Sequence, residues 1–347
     1  MKANLNLVEL RENSMPLLLS EADVKSLLTM PIAIDAVENS FRRLGDGSAL
    51  VHPRQRLHLP SKSYLHYMAA ADGVSGYMGL KIYTSSGKGL RFLVTLFSVE
   101  SGDLVALIEA DFLGQMRTGA ASGVATRYLA RENARTLAMI GTGLQARTQL
   151  QAIAQVRKLD GIRVFGRDAE RRERFAEEMS DALKIPVTGA ASAEDAVRDA
   201  DIVVTSTTST APVLEGRWLK PGVHINAIGA NFPQKRELDT EAVERCDTIV
   251  VDSRAQSKLE SGDLIHVFGE EAARWAGVKE LAEIAAGTAA GRTSPNQITL
   301  FKSNGIATED IVAAGKIFEI ARERGMSRDV PMWQQNEGLE KRAGVRK

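Results

Sequence analysis

Residues 136–146 read Thr-Leu-Ala-Met-Ile-Gly-Thr-Gly-Leu-Gln-Ala, an apolar run leading into G-x-G-x-x-A. Such a run suits binding of a dinucleotide pyrophosphate. Gly141 allows the tight turn, Thr142 and Gly143 bring backbone close to the anion, and Ala146 lets the following helix pack against the strand. The helix N-terminus then faces the phosphates. The next apolar strand ends Phe165-Gly166-Arg167-Asp168. Gly166 stands where an acidic residue would hold the ribose diol of NAD, and Arg167, with Arg171 one turn beyond, could meet a 2′-phosphate. This favours NADP(H) over NAD(H), although Arg167 could equally be a solvated turn residue beside an Asp168 N-cap. A third strand ends in Thr205-Ser206-Thr207, hydroxyls placed where ligands cross the C-terminal edge of a parallel sheet.

A second chemical signal is Lys81, inside the apolar pattern Gly79 to Tyr83. An ammonium there is costly unless paired or used, so it reads as a functional group or half of a buried ion pair. Other chemistries find little support. The five histidines, His52, His58, His66, His224 and His266, are dispersed, no nucleophile motif is present, and no His/Cys cluster has metal-site spacing. No metal is expected. Lys+Arg and Asp+Glu both number 44, so no net field favours nucleic acid or an anionic membrane. The single cysteine, Cys246, fits a reducing compartment. No stretch approaches the ~20 apolar residues of a spanning helix, and the N-terminus has no leader pattern, so the cytoplasm is expected.

The elements that must position these groups fall into two sets. Residues 1–14 read as a flexible extension. Ser20 and Asp23 open a capped helix, a second helix follows Pro31, and strands are expected over Arg56 to Leu59, Tyr64 to Ala69, Gly79 to Tyr83, Phe92 to Ser98 and Leu104 to Glu109. This makes residues 15–127 an α+β domain with a mostly antiparallel or mixed sheet. A helix of small residues, Gln115 to Arg131, links it to the rest. From 128 to 314 strands and helices alternate: strands Thr136 to Ile140, Ile162 to Phe165, Ile202 to Thr205, His224 to Ile228 and Thr248 to Val251, helices Leu144 to Val156 and Ala169 to Leu183. That alternation predicts an α/β, Rossmann-type doubly wound parallel sheet. A last helix runs from about Glu309 to Arg324.

Five ordered segments go further. Gly79-Leu80-Lys81, Met116 to Ser122, Gly141 to Ala146, Gly229 to Leu238, and Leu300 to Gly305 before Glu309-Asp310 resemble the ornithine cyclodeaminase/mu-crystallin family. The likeness covers Met15 to about Gly325. It implies a homodimer and a substrate-binding and dimerisation domain, 15–127, completed by 315–347. It also implies that Arg56, Lys81 and Arg117 hold the carboxylate of a small anionic amino or imino acid, with Arg54 competing for the place of Arg56. Leu144, Gln145, Thr205, Ile228 and Lys235 are implied near the dinucleotide, Asn304 beside the nicotinamide, and Gly305 near the substrate.

One residue departs from the pattern. Ornithine cyclodeaminases carry an aspartate that handles the substrate amine, and this chain has Asn231 there. An amide cannot act as a carboxylate base. The expectation therefore shifts to NAD(P)H-dependent reduction of a ketimine or cyclic imino acid, or reductive amination of an oxo acid. A redox-neutral cyclodeaminase or ammonia lyase using bound NAD, and a non-catalytic NADPH/small-acid binder, stay open as alternatives.

Overall fold

The computed structural model describes residues 15–58, 63–86 and 89–332. The expected extension 1–14, the strand end at Leu59, the turn at Gly87-Lys88 and the stretch 333–347 lie outside the described residues.

Among the described residues the first sheet has seven strands: β1 (Leu17–Leu19), β2 (Ala49–Val51), β3 (Gln55–His58), β4 (Tyr64–Asp72), β5 (Tyr77–Ser86), β6 (Gly89–Ser98) and β7 (Leu104–Glu109). Its order is β1-β7-β6-β5-β4-β2, with β3 also on β4. All pairings are antiparallel except β1 with β7, so the sheet is mixed. Helix α1 (Glu21–Leu27) starts at the expected capping box, Ser20 and Asp23 exchanging hydrogen bonds. Helix α2 (Met30–Gly45) carries Pro31 in its first turn, where the missing N–H costs nothing. Strands β1 and β2 were not foreseen. Three residues are too few to show a period, and both pair with sequence-distant strands.

Helix α3 (Asp111–Leu129) begins four residues before the expected start at Gln115. It is buried over most of its length, so no polar face marks its first turn. Its small residues let α4 (Leu144–Val156) approach closely: a Cβ on Gly119 would run into the Thr148 carbonyl. The last helix, α12 (Ala307–Glu323), packs on β4, β5 and α2, and a side chain on Gly79 would collide with Thr95 and Ile311.

The second sheet is wholly parallel and has eight strands, β8 (Thr136–Ile140), β9 (Gly161–Phe165), β10 (Val187–Gly189), β11 (Ile202–Thr205), β12 (His224–Ala227), β13 (Thr248–Val251), β14 (Lys279–Glu280) and β15 (Thr299–Lys302). Helices α5 (Ala169–Leu183), α6 (Ala193–Val197), α7 (Thr240–Glu244), α8 (Arg254–Glu260), α9 (Gly262–Phe268), α10 (Ala272–Ala276) and α11 (Leu281–Ala285) connect them. The order β10-β9-β8-β11-β12-β15-β13-β14 reverses between β8 and β11, which opens a crevice beyond their C-termini. Strand β15 sits between β12 and β13, although the sequence marks Leu300-Phe301-Lys302 only as part of a motif. No helix among the described residues is long and apolar enough to cross a membrane.

Candidate active site

The crevice between β8 and β11 is built from close backbone contacts. Gly141 has φ +111°, and a Cβ there would strike the Ser206 carbonyl, so the glycine is required twice over. Nothing lies within 4 Å of the Cβ position of Gly143, and α4 starts there without a side-chain cap. Its first amides are thus left for an anion. A Cβ on Gly166 would sit 2.9 Å from Thr142 Oγ1, so a larger residue at the end of β9 would displace Thr142. Leu144 is largely exposed, and Gln145 Oε1 is buried without a hydrogen-bond partner. At the far end Arg167 and Arg171 are exposed, Arg172 donates to the Gly166 carbonyl at 3.3 Å, and Asp168 caps α5.

The hydroxyl of Thr205, the last residue of β11, requires a correction. Thr205 is fully buried and its Oγ1 donates to Glu237 Oε2 at 2.9 Å, which turns it away from the crevice. Glu237 also accepts the Thr207 amide at 2.6 Å and the Gly229 amide at 2.7 Å. One buried carboxylate therefore ties together the loops that follow β11 and β12, and burial raises its pKa. Ser206, Thr207 and Ile228 remain partly exposed on those loops. Lys235 lies half-buried with its ammonium 5.3 Å from the Phe232 ring.

Beyond the C-terminal ends of β12 and β15 four cations gather against the first sheet. Lys81 Nζ donates to Asp310 Oδ1 at 2.6 Å, and Arg117 Nε donates to the same oxygen at 3.1 Å. Arg117 Nη1 reaches Glu309 at 2.7 Å. Arg54 is buried on Glu260 at 2.5 Å and on the carbonyls of Asn304 and Gly305. Arg56 shares Glu260 at 2.7 Å but keeps 20% of its side chain exposed, stacks on Phe232 at 4.5 Å and donates to the Asn231 carbonyl at 3.2 Å. Arg54 thus anchors the loop after β15, while Arg56 faces the open space.

Burial, with Arg117 nearby, lowers the Lys81 pKa to about 8 despite Asp310. Burial raises Glu309 to about 7. It also opposes the charge on Arg117, but Asp310 and Glu309 outweigh it and hold that pKa above its ordinary value.

The loop after β15 completes the site. Asp252 Oδ2 accepts from Ser303 Oγ at 3.1 Å, Asn304 N at 2.6 Å and Gly305 N at 2.5 Å. Asn304 Nδ2 donates to Ser257 at 2.9 Å, and its Oδ1 is buried without a hydrogen-bond partner. Gly305 has φ +78°, and a Cβ there would lie 2.5 Å from Arg117 Nη1. Arg117, Lys81, Arg56, Asn231 and Gly305 are therefore brought together around one wall of the crevice.

Sequence reading missed the carboxylates Glu260, Glu309 and Asp310 as partners of these cations, and Glu237 as the loop tie. Their positions in or near the motifs were visible, but which cation each meets depends on contacts spanning some two hundred residues. Of the dispersed histidines, His66 is buried. The structure sets His66 in a ring stack, 5.7 Å from Tyr64 and 4.3 Å from Tyr83, in register with Arg56 across β3 and β4. Burial and the charges of Arg56 and Arg54 lower its pKa to about 4, so the ring is neutral at pH 7.

The family model described as the ornithine cyclodeaminase/mu-crystallin family matches residues 14–325. A Delta(1)-pyrroline-2-carboxylate reductase of Bacillus cereus is 37% identical over 266 residues, which is 74% of this chain and 81% of that protein. The solved Delta(1)-pyrroline-2-carboxylate reductase of Thermococcus litoralis, in complex with NADH and L-proline, is 37% identical with a TM-score of 0.86, covering 90% of this chain and all of that one. An archaeal alanine dehydrogenase dimer with bound NAD is 32% identical with a TM-score of 0.85, covering 91% and 99%.

Proposed function

This chain belongs to the ornithine cyclodeaminase/mu-crystallin family, and we propose that it reduces a ketimine or cyclic imino acid, or reductively aminates an oxo acid, with NAD(P)H. It is an NAD(P)-dependent oxidoreductase acting on CH-NH or CH-NH2 groups. The observation that carries the reading is the buried ammonium of Lys81 beside Arg117, in a cation cluster that extends through Arg54 and Glu260 to Arg56, at a dinucleotide crevice. The crevice fits the cofactor, because Gly143 and the uncapped α4 leave room and donors for a pyrophosphate, and buried acceptors on Gln145 and Asn304 still lack hydrogen bonds. Gly141, Thr142, Gly143, Leu144 and Gln145 would hold the pyrophosphate, Gly166 and Arg167 the adenosine ribose. Ser206, Thr207, Ile228, Lys235 and Asn304 would border the nicotinamide, with Thr205 supporting them through Glu237.

When bound, the cofactor supplies the hydride. Arg56 and Arg117 hold the substrate carboxylate by charge-assisted bonds, and Gly305 lets the loop after β15 pass close to the Arg117 guanidinium. Lys81 gives its proton to the imine nitrogen as the carbon is reduced, and regains one from solvent. The test is a screen of cyclic imines, and of oxo acids with ammonia or methylamine, against both cofactors, with ornithine as a separate arm. Net oxidation of NAD(P)H supports the reading. Rapid proline formation from ornithine without net cofactor change would instead restore the lyase, despite Asn231.

Within that reading we favour NADP(H), because Arg167 and Arg171 are exposed beside Gly166. Arg167→Ala should weaken NADPH binding roughly tenfold, the loss of about one charge-assisted bond to phosphate, and leave NADH untouched. An unchanged NADPH/NADH ratio would remove this argument.

We also propose a homodimer through the outer face of the first sheet. Leu65, Tyr67 and Leu93 are each 37% exposed there; Tyr67 and Leu93 flank Ile82 in cross-strand register, Leu65 stands opposite Thr84, and Leu80 is the neighbour of Ile82 on the same face. Such a contiguous apolar face calls for a partner. Leu80→Asp should convert the dimer to monomer in light scattering, and a dimeric variant would exclude this face. The cytoplasm is the setting we propose, where the thiol of Cys246 would stay reduced.

A further inference from the structure

We propose that Asp310 is a positioning residue for proton transfer: its Oδ1 takes hydrogen bonds from Lys81 Nζ and Arg117 Nε together, so one buried carboxylate keeps the lysine charged and fixes its spacing from the guanidinium. This rests on the reading of Lys81 as proton donor.

The Lys81 head is deeply buried, and charged and aromatic groups from several elements face it. Asp310 approaches from α12, Arg117 from α3 and Arg54 from the segment before β3, while Glu309, next to Asp310 on α12, meets Arg117. The Phe92 ring on β6 lies 5.0 Å from Nζ, and a Cβ on Gly114 would be 3.2 Å from it. Asp252 acts on the same cluster through Arg117 and Glu309. Of these groups, Asp310 alone is hydrogen-bonded to Lys81 with opposite charge, while burial, Arg117 and Arg54 all drive the proton off. A lysine poised at about 8 can hold its proton at neutral pH and still release it to a nitrogen that becomes basic on reduction. Removing the carboxylate leaves only the lowering influences.

The experiment compares Asp310→Asn with Glu309→Gln. In Asp310→Asn the basic limb of the kcat profile should move at least one unit toward acid, which is about tenfold in rate above the limb. Selective 15N-lysine NMR, with Lys81 assigned by its loss in Lys81→Met, should show the Nζ titration moving by the same amount. Glu309→Gln alters only the hold on Arg117, so KM should rise while the limb and the Nζ titration stay in place. An unmoved limb and titration in Asp310→Asn would overturn the proposal.

If the asparagine variant does not fold, Asp310→Glu decides. It retains the charge but changes the spacing, so the limb should stay within half a unit while kcat falls. A normal kcat there would equally overturn it. Should the wild-type chain reduce none of the screened substrates, the functional reading fails, and the Nζ titration still decides the role of Asp310.

Discussion

A Lys81→Met variant should fold normally and lose turnover by ~10²-fold or more, the usual consequence of deleting a general acid. The substitution suits the fold because Lys81 lies on the inner face of β5 between Met68 and Val94, where an unbranched apolar chain of similar length fills the same space. Asp310 keeps its second partner, Arg117, so it is not left as an isolated buried charge. Cofactor affinity should change little, because the Gly141 loop belongs to the other sheet. Steady-state kinetics on an identified substrate, together with NADPH titration, check both halves. Near-normal turnover would take Lys81 out of the chemistry and leave the site to the arginines.

Arg117→Ala should destabilise the protein by about 3–5 kcal/mol, the range expected when one partner of a buried ion pair is removed. Two buried carboxylates, Glu309 and Asp310, lose their guanidinium at once. The deficit should depend on pH. Burial already raises Glu309 to about 7 with Arg117 opposing it, and losing Arg117 raises it further. A carboxyl whose folded pKa lies above its unfolded value stabilises the fold fully below the unfolded value, and that contribution is lost as pH rises through the folded one. The deficit should therefore be larger at pH 8 than at pH 5.5 in urea unfolding. Arg117→Lys should recover part of it, since charge returns without the planar fork. A loss below 1 kcal/mol at both pH values would show that the cluster is solvated and not a closed ion-pair network.

Much of this was legible beforehand. The dinucleotide loop was readable because its requirements are local: a turn at Gly141, an approach at Gly143 and a helix starting beside them lie within six residues. Helix and strand periods located α1, α2, α4, α5, α12 and the longer strands, since burial of one face repeats along the chain. The reductive reading followed from one side chain, Asn231, because exchanging a carboxylate for an amide removes a base in any fold.

What the sequence by itself determined, then, was the class of the fold and the glycine loop suited to a dinucleotide, while the cations expected at a substrate carboxylate came from the family resemblance. Only the tertiary structure decided how those cations are balanced. Arg54 and Arg56 are two residues apart and alike in type, yet one is consumed by Glu260 and the loop after β15 while the other faces the crevice. The hydroxyl of Thr205, well placed by position alone, is drawn inward by Glu237. Strand β15 enters the middle of the parallel sheet although few local signals separate it from a loop. The physical reason is the same in each case. Charge pairing, hydrogen-bond choice and strand insertion are settled by which arrangement leaves the fewest buried polar groups unpaired, and the competing groups lie far apart in the chain.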